Sequence, residues 1–280
     1  MKLFLALMLL SQPQAKPAQL HLDVFTSSPN GFSVTSTLIY GDKELIVIDP
    51  QFLLSEAKQL ANRIRSTHRT LTTIYTTHAH PDHFLGVADL KEEFPNARYV
   101  ALPQVVERIK TAWPARRNFW YQTYGSDVPS ETPILPEPIE GKLMLEGNPL
   151  IITGEVMGDG PGNSFVHIPA LNAVVAGDIV FNNAHFAPPA DPAQLYATFD
   201  KIAALKPTIL VAGHQARGSN NDPRAMDFMR QYINDFNECK ASSKSAEELK
   251  KKMLKKHPRL ALPNLLDGAA DRAFPEKRSQ

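Results

Sequence analysis

The chain has 280 residues, 43% of them hydrophobic, which is enough to bury the core of a single compact domain. Thirty basic and 29 acidic residues leave a net charge of +1, so the charge balance gives no support to a nucleic-acid partner. The single cysteine, Cys239, excludes a framework of internal disulfides.

The N-terminal segment predicts export. Met1 and Lys2 precede an apolar run, residues 3–10, which has the length of a signal-peptide core and is too short to span a bilayer. Cleavage after Ala15 would leave residues 16–280 as one mature domain in the periplasm or the medium. The alternatives are a buried first strand or a retained anchor, and without a signal peptide the protein is expected in the cytoplasm.

Alternating apolar residues predict three strands after this segment, at residues 21–26, 33–40 and 44–48. Gly41 and Asp42 separate the second strand from the third, as in a β-hairpin. A helix is predicted from Ser55, a suitable N-cap residue, to about Arg65. An apolar, β-branched strand follows at residues 71–76.

The segment directly after this strand carries three histidines and one aspartate, namely His78, His80, Asp82 and His83. Residues two apart on an extended backbone point the same way, so His78 and His80 can bind one ion together. Asp82 and His83 stand at the start of an amphipathic segment, residues 84–94, and are directed toward a second position nearby. Imidazoles and carboxylates suit a catalytic divalent metal, above all zinc, whereas without a metal these groups would leave buried polar atoms unpaired.

Aromatic residues are concentrated in the middle of the chain. A short strand at residues 98–102 precedes a helical stretch, residues 103–121, which Pro114 is expected to break. The aromatic segment 113–124 either packs a helix against its own domain or forms a wall over the metals. In the second case Trp120 is a candidate substrate contact.

The second half of the chain repeats the alternation of strands and helices. Strands are predicted at residues 142–145, 150–156, 165–168, 173–176 and 208–211. Helices are predicted at residues 192–205, 223–238 and 246–256, the last two forming a C-terminal helical region of about residues 222–256. Two β-rich halves with interspersed helices predict an α+β fold, in which two packed mixed sheets carry helices on their outer faces.

The His-x-His-x-Asp-His motif at residues 78–83 resembles the signature of the metallo-β-lactamase superfamily, which includes glyoxalase II-type thioesterases and lactonases. The resemblance spans about residues 20–240 and implies an αββα sandwich with the site along one edge of the sheets. It also implies that Asp178 bridges two metals, that His214 completes the second metal site and that Asp49 is structural and lies beneath the metals.

One position departs from the family pattern. The family supplies a histidine as the third ligand of the first metal, in a Gly-His-Thr-like turn, and Asp159 stands at the matching place. A carboxylate binds zinc at about the same distance as an imidazole, so Asp159 is the expected substitute. Asn163 is the other candidate ligand if the turn is shifted, and is otherwise a candidate substrate contact. Alternatively, water fills the position. His185, in a loop after Asp178, is a candidate substrate contact or outer ligand.

The resemblance implies a metal-dependent hydrolase. One or two zinc ions, with iron or manganese as alternatives, would generate hydroxide from bound water, and Asp82 would orient this nucleophile as the catalytic residue. The expected substrate is a small molecule with an ester, lactone, thioester or amide bond, and no stable membrane insertion is expected. A β-lactamase, an iron-dependent oxidative enzyme and a metal-binding module without turnover remain alternatives. Neither the substrate nor the oligomeric state follows from the sequence.

Overall fold

The computed structural model describes residues 16–129 and 133–275. The predicted signal segment, residues 1–15, lies outside the described residues. Within the two described ranges, no helix has both the length and the apolar character needed to cross a membrane.

The first half of the chain forms a six-stranded sheet. Its strands lie side by side in sequence order: β1 (His21–Thr26), β2 (Thr35–Tyr40), β3 (Glu44–Ile48), β4 (Thr70–Thr76), β5 (Arg98–Ala101) and β6 (Glu137–Pro138). The first three strands are antiparallel neighbours, whereas β3 to β6 run parallel. Parallel neighbours need crossover connections, which are α1 (Leu54–Ser66), α2 (Val87–Glu93) and α3 (Pro103–Tyr124).

The second half supplies the remaining strands: β7 (Lys142–Leu145), β8 (Asn148–Met157), β9 (Pro161–Ile168), β10 (Ala173–Val175), β11 (Phe181–Asn182), β12 (Ile209–Val211) and β13 (His214–Gln215). Five of them form a sheet in the order β12-β10-β9-β8-β7, and β11 pairs with β13. The helices of this half are α4 (Ala193–Ala204), α5 (Ala225–Ala241), α6 (Ala246–Lys256) and α7 (Pro263–Ala273).

Two hydrophobic clusters join these layers. The first contains residues of both large sheets, for example Ile46 and Ile74 from one sheet and Val166 from the other. The second packs the five-stranded sheet against the C-terminal helices, with Leu210 on the sheet and Tyr232 on α5. Because both faces of the central strands are covered, β3 and β4 are almost continuously apolar or β-branched. The predicted α+β architecture of two mixed sheets with outer helices is confirmed.

The prediction that Pro114 breaks the third helix is wrong, because α3 continues through this residue to Tyr124. A proline inside a helix removes one backbone hydrogen bond. Here the helix packs on both sides of the proline. Ile109 and Trp113 are buried before it, and Trp120 packs on Phe52 after it. This packing stabilises the helix against the loss of one hydrogen bond.

Two helix ends also differ from prediction. α1 begins at Leu54, and Ser55 is not its N-cap; instead the backbone N–H and Oγ of Ser55 donate to the carboxylate of Asp127, at 2.8 and 2.7 Å. The C-terminal helical region extends past residue 256, because α7 follows α6. Leu266 and Ala270 of α7 are buried four residues apart on one face, which is a short apolar pattern for a helix.

Candidate metal centre

Strand β4 ends directly before four of the predicted ligands. His78 and His80 lie between β4 and a short 3₁₀ turn, Pro81–His83. Pro81 fixes the backbone at the first position of this turn, and Asp82 and His83 occupy the next two positions. One short segment thus presents all four side chains at the end of a buried strand.

The possible ligand atoms form two sets, and within each set they lie within 4.8 Å of one another. The first set contains His78, His80, Asp159 and Asp178, and the second contains Asp82, His83 and His214. Asp178 contacts both sets, since its Oδ2 lies 3.4 Å from His78 Nε2 and its Oδ1 lies 3.0 Å from His83 Nε2. His214 Nε2 lies 3.2 Å from Asp178 Oδ1 and 3.4 Å from Asp82 Oδ2. The structure therefore brings together all seven predicted ligands, in two adjacent sets that the Asp178 carboxylate connects.

The backbone at Gly213 explains how His214 reaches this carboxylate. The Gly213 N–H donates to the carbonyls of Gly177 and Val180, at 2.9 and 3.0 Å, so its chain lies against the turn that carries Asp178. A Cβ at Gly213 would collide with Asp178 Oδ1 and with the Gly177 backbone. Only glycine permits this approach, which places the neighbouring His214 ring beside Asp178.

Asp49 lies beneath the site as a hydrogen-bond acceptor. Its Oδ1 accepts from the Thr77 N–H at 2.8 Å, and its Oδ2 accepts from Thr77 Oγ1 and His83 Nδ1, both at 2.9 Å. The Asp49 backbone has a φ of 60°, in the left-handed region that few non-glycine residues adopt. These contacts support the structural role that the resemblance implies for Asp49.

Hydrogen bonds at Nδ1 fix the orientation of three imidazoles. Thr77 Oγ1 donates to Asp49, so it accepts from His78 Nδ1 at 2.9 Å. His83 Nδ1 donates to Asp49, and His214 Nδ1 donates to the Phe32 carbonyl at 2.7 Å. In each neutral ring the proton is therefore on Nδ1 and the lone pair is on Nε2.

With the neutral rings in these tautomers, the inward-facing Nε2 atoms direct lone pairs toward the centre of the site. His83 Nε2 and His214 Nε2 lie 3.3 Å apart. His78 Nε2 and Asp178 Oδ1 are buried and make no hydrogen bond within the described part of the chain. Buried polar atoms without partners are costly, and lone pairs that face carboxylates repel them. A divalent cation at each set would satisfy these atoms, so the residues fit the metals that the fold implies.

The local charges point the same way. Burial by itself lowers the pKa of His83, but the carboxylates of Asp178 and Asp49 outweigh it and raise that pKa well above its usual value. Burial by itself also lowers the pKa of His80, but the carboxylates of Asp159 and Asp178 raise it to about 9. Burial disfavours the Asp178 carboxylate, yet the surrounding histidines hold its pKa well below its usual range. The carboxylates thus favour positive charge, as a proton or as a metal cation, within the two ligand sets.

Asp159 lies in the turn between β8 and β9, whereas Asn163 lies near the start of β9. Asp159 Oδ2 lies 3.2 Å from His80 Nδ1, and the Asp159 N–H donates to the Asp178 carbonyl at 2.9 Å. Asn163 Nδ2 donates to the Gly160 carbonyl at 2.9 Å and to Asp159 Oδ1 at 3.4 Å. Asp159 therefore faces the first set directly, whereas Asn163 contacts that set through Asp159.

A cavity of about 760 Å³ opens over both ligand sets. Its lining combines members of the two sets with apolar side chains from separate parts of the chain, among them Phe32, Trp120, Phe181, Pro188, Phe236 and Leu265. Trp120 packs edge-on against Phe32 and Phe52, with ring centroids 6.1 and 5.2 Å apart. Trp120 of the aromatic segment thus borders the cavity and packs against the core at once.

His185, a predicted substrate contact, does not line this cavity. Its ring is buried, with Nδ1 2.9 Å from the Tyr232 hydroxyl, because the residues after β11 turn inward against α5. Three basic residues line the cavity, namely Arg116, which belongs to the aromatic segment 113–124, and Lys240 and Arg272, which the sequence did not indicate. They lie on α3, α5 and α7, so no sequence spacing connects them with the histidine motif.

Comparison with known proteins identifies related sequences and folds. The sequence pattern of the family described as the metallo-beta-lactamase superfamily matches residues 29–214. Hydroxyacylglutathione hydrolase 1 of Vibrio vulnificus (strain YJ016) is 40% identical over 60 residues, which is 21% of this chain and 23% of that protein. The chain thus matches less than a quarter of this curated relative.

Solved structures share the fold at low identity. A metallo-beta-lactamase family protein from Thermus thermophilus is 20% identical with a TM-score of 0.58, covering 91% of this chain and 93% of that one. A beta-lactamase domain protein from Burkholderia ambifaria is 15% identical with a TM-score of 0.62, covering 91% and 83%. A protein solved in a di-iron-bound form is 25% identical with a TM-score of 0.54, covering 72% and 96%.

Proposed function

Because the chain belongs to the metallo-beta-lactamase superfamily, we propose that it is a metal-dependent hydrolase acting on a small molecule. The bond cleaved would be an ester, a lactone, a thioester or an amide. Zinc is the first choice of metal, as one or two ions. The curated relative from Vibrio vulnificus is itself named as a hydrolase, which supports this reaction class.

The observation that carries the proposal is the shared carboxylate of Asp178. One of its oxygens faces the first ligand set and the other faces the second, while lone pairs of His78 and His83 face it from the two sides. Such an arrangement suits two metals held close together beside a common substrate position. In this proposal His78, His80, Asp159 and Asp178 hold the first metal, and Asp82, His83, His214 and Asp178 hold the second.

Bound metals would supply a hydroxide at neutral pH, by lowering the pKa of a bound water to about 7, and would polarise the scissile carbonyl. The chain contributes position and charge. Asp82, on the cavity floor, would orient the nucleophile by accepting its proton in a hydrogen bond. Asp49 holds His83 through Nδ1, so that Nε2 keeps its lone pair toward the site. Phe32 and Trp120 exclude water from one wall.

Metal analysis combined with a substrate panel tests this proposal. We expect the purified protein to hold one to two equivalents of a divalent metal and to hydrolyse at least one of four probes: an ester, a lactone, a thioester and a β-lactam. Chelation should abolish turnover, zinc should restore it, and His80→Ala with Asp82→Ala should remove both metal and activity. Asp42→Ala, which removes an exposed carboxylate in the β2–β3 turn, is the matched control. Full activity in metal-free protein would contradict the proposal.

An iron-dependent oxidative enzyme is the second candidate. It is supported by the carboxylate content of both ligand sets and by the relative solved with two irons. Oxygen ligands suit iron and manganese better than an all-imidazole site does. Iron in the purified protein, together with oxygen uptake and no hydrolysis, would favour this candidate. Cleavage of the β-lactam alone would indicate a β-lactamase, and metal binding without any turnover would indicate a binding module.

A further inference from the structure

The charged residues that line the cavity divide by sign. Besides histidine, they are three acidic residues of the two ligand sets, Asp82, Asp159 and Asp178, and three basic residues, Arg116, Lys240 and Arg272. In the proposed function every acidic member binds metal. The charge left to meet a substrate is then entirely positive.

The three basic residues have no counter-ion in the described part of the chain, unlike cations nearby. On α5, Arg230 pairs with Asp200 at 2.8 Å, and on α6, Lys256 pairs with Asp235. Lys240, in the last turn of α5, makes no such pair, and neither do Arg116 on α3 or Arg272 on α7. Three separate helices thus direct unpaired cations to one cavity.

Apolar surface accompanies these cations. Phe236 precedes Lys240 by four residues on α5, and Ala269 precedes Arg272 by three on α7, so each cation shares a helix face with an apolar lining residue. Residues 187–190, two of them proline, add a further apolar stretch to the lining. The metals would lie on the polar floor, among the ligand sets. A molecule filling the cavity would therefore meet metal, apolar and cationic surfaces.

We propose that the substrate is an amphipathic anion: a hydrolysable bond, an apolar segment and a carboxylate, with Arg116, Lys240 and Arg272 selecting the carboxylate. The inference rests on the proposed function for the identity of the reacting bond. The cations act on substrate binding, since none of them belongs to a ligand set. Cations that line a partly enclosed cavity also attract anions from solution, an effect that salt weakens.

Two esters with the same leaving group separate charge from shape. One is the mono-4-nitrophenyl ester of suberic acid, whose other carboxylate is free, and the second carries a methyl ester there. Both release 4-nitrophenolate when the aryl ester is cleaved. The zinc-loaded full chain is assayed as wild type, as three single variants (Arg116→Gln, Lys240→Gln and Arg272→Gln) and as the triple variant. The controls are Arg117→Gln and Lys251→Gln, exposed cations outside the cavity.

We expect wild type to prefer the anionic ester by about tenfold in kcat/KM at low salt. Each single variant should raise the KM for the anionic ester about threefold, which is the effect expected from the loss of one exposed ion pair. The triple variant should treat both esters alike, kcat should change little, and the controls should match wild type. Equal kcat/KM for the two esters in wild type, or equal losses in the controls, would overturn the inference.

Binding provides a readout that does not depend on turnover. 8-Phenoxyoctanoic acid, an anionic ether with no hydrolysable bond, is titrated calorimetrically into the zinc-loaded protein, and the triple variant should weaken its Kd about tenfold. This titration decides the inference whether or not either ester is cleaved, and the proposed function is decided separately by the four-probe panel. An unchanged Kd in the triple variant would overturn it.

Discussion

Asp159 is held at the first ligand set by its own backbone as well as by its neighbours. Its N–H donates to the carbonyl of Asp178, and its Oδ1 accepts from Asn163. The carboxylate is therefore oriented before any metal binds, which is the property expected of a ligand. The same contacts explain why a one-residue difference from the family pattern need not alter the fold.

Asp159→Ala should weaken the first metal and spare the second. Loss of one ligand should reduce the affinity of the first set for its metal by about 100-fold. This is the upper end of the range seen when a residue that only supports a ligand is lost. Metal analysis after dialysis should show about one equivalent in place of about two. Asn163→Ala, which removes only a hydrogen bond to Asp159, should have a smaller effect. Two equivalents retained in Asp159→Ala would show that the turn supplies no ligand.

His185 makes stability depend on pH. Burial, with a smaller contribution from the nearby His257 charge, lowers its pKa to about 4 from 6.5, while Asp267 raises it only partly. The unfolded chain therefore binds this proton more tightly, so His185 contributes stability above about pH 6.5 that is lost as pH falls toward 4. The loss should be about 1–3 kcal/mol.

Urea unfolding of the metal-loaded protein at pH 7.5 and pH 5 measures this effect. The wild type should lose more stability across the interval than His185→Gln, whose side chain has no charge to acquire. His68→Gln, at an exposed histidine, should behave as wild type does. Equal losses in wild type and His185→Gln would show that the pKa of His185 is the same in the folded and the unfolded chain.

The sequence predicts which side chains come together where the candidate ligands are contiguous along the chain. His78, His80, Asp82 and His83 lie within six positions, and the backbone of one strand end determines their directions. The sequence does not predict that Lys240 and Arg272 line the cavity, because only the packing of their helices brings them there. His185 was placed near the substrate from its distance to Asp178, which does not show that its ring is buried against Tyr232.

Among the elements, β1, β3, β7 and α6 begin and end at their predicted residues, because apolar periodicity and turn residues coincide there. α3 shows the limit of such patterns. Pro114 is a valid local signal for a helix end, and only the tertiary contacts of Trp113 and Trp120 on either side overrule it. The sequence pattern does not predict α7, because its buried positions include small alanines as well as a large apolar residue.

Pro114→Ala should stabilise the protein. Alanine restores a backbone donor toward the Lys110 carbonyl and removes the ring that crowds the preceding turn, so unfolding should cost about 1–3 kcal/mol more. The midpoint of urea unfolding measures the change. Ala115→Gly, at the adjacent exposed position, should lower the free energy of unfolding by about 1 kcal/mol if the helix is continuous. If neither variant changed the free energy of unfolding, the helix would have to end at residue 114.

At the scale of the whole molecule, the metals would join the two halves of the chain. The first half supplies His78, His80, Asp82 and His83, and the second supplies Asp159, Asp178 and His214. A ligand that binds only this arrangement stabilises the folded state, by about 4 kcal/mol at 1,000 times its Kd.

Chelation should therefore lower the Tm of the entire protein, and added zinc should raise it again. Differential scanning calorimetry of one cooperative transition measures the shift. Asp178→Asn removes the shared charge and should lose most of the zinc-dependent rise. A Tm indifferent to zinc and to chelator would mean that the two halves are held together without metal.

We further propose that residues 1–15 direct export and are removed, leaving one domain. When the full-length chain is expressed in a Gram-negative host, the periplasmic fraction should contain protein beginning at Lys16. Intact-mass measurement identifies that end directly. Protein that keeps Met1 and remains in the cytoplasm would contradict the proposal, and deletion of residues 3–10 is the matched control for secretion.

The Phe32 carbonyl, which orients His214, belongs to a segment that also pairs with the strand after Gly213. The Thr35 N–H donates to the Gly213 carbonyl, and the Gln215 N–H donates to the Ser33 carbonyl. The Phe32–His214 contact spans 182 positions along the chain. During synthesis on the ribosome, His78 and His83 emerge long before their partner, and so distant a contact closes late. A nascent chain thus exposes the histidine motif early but can complete both ligand sets only after His214 has been translated.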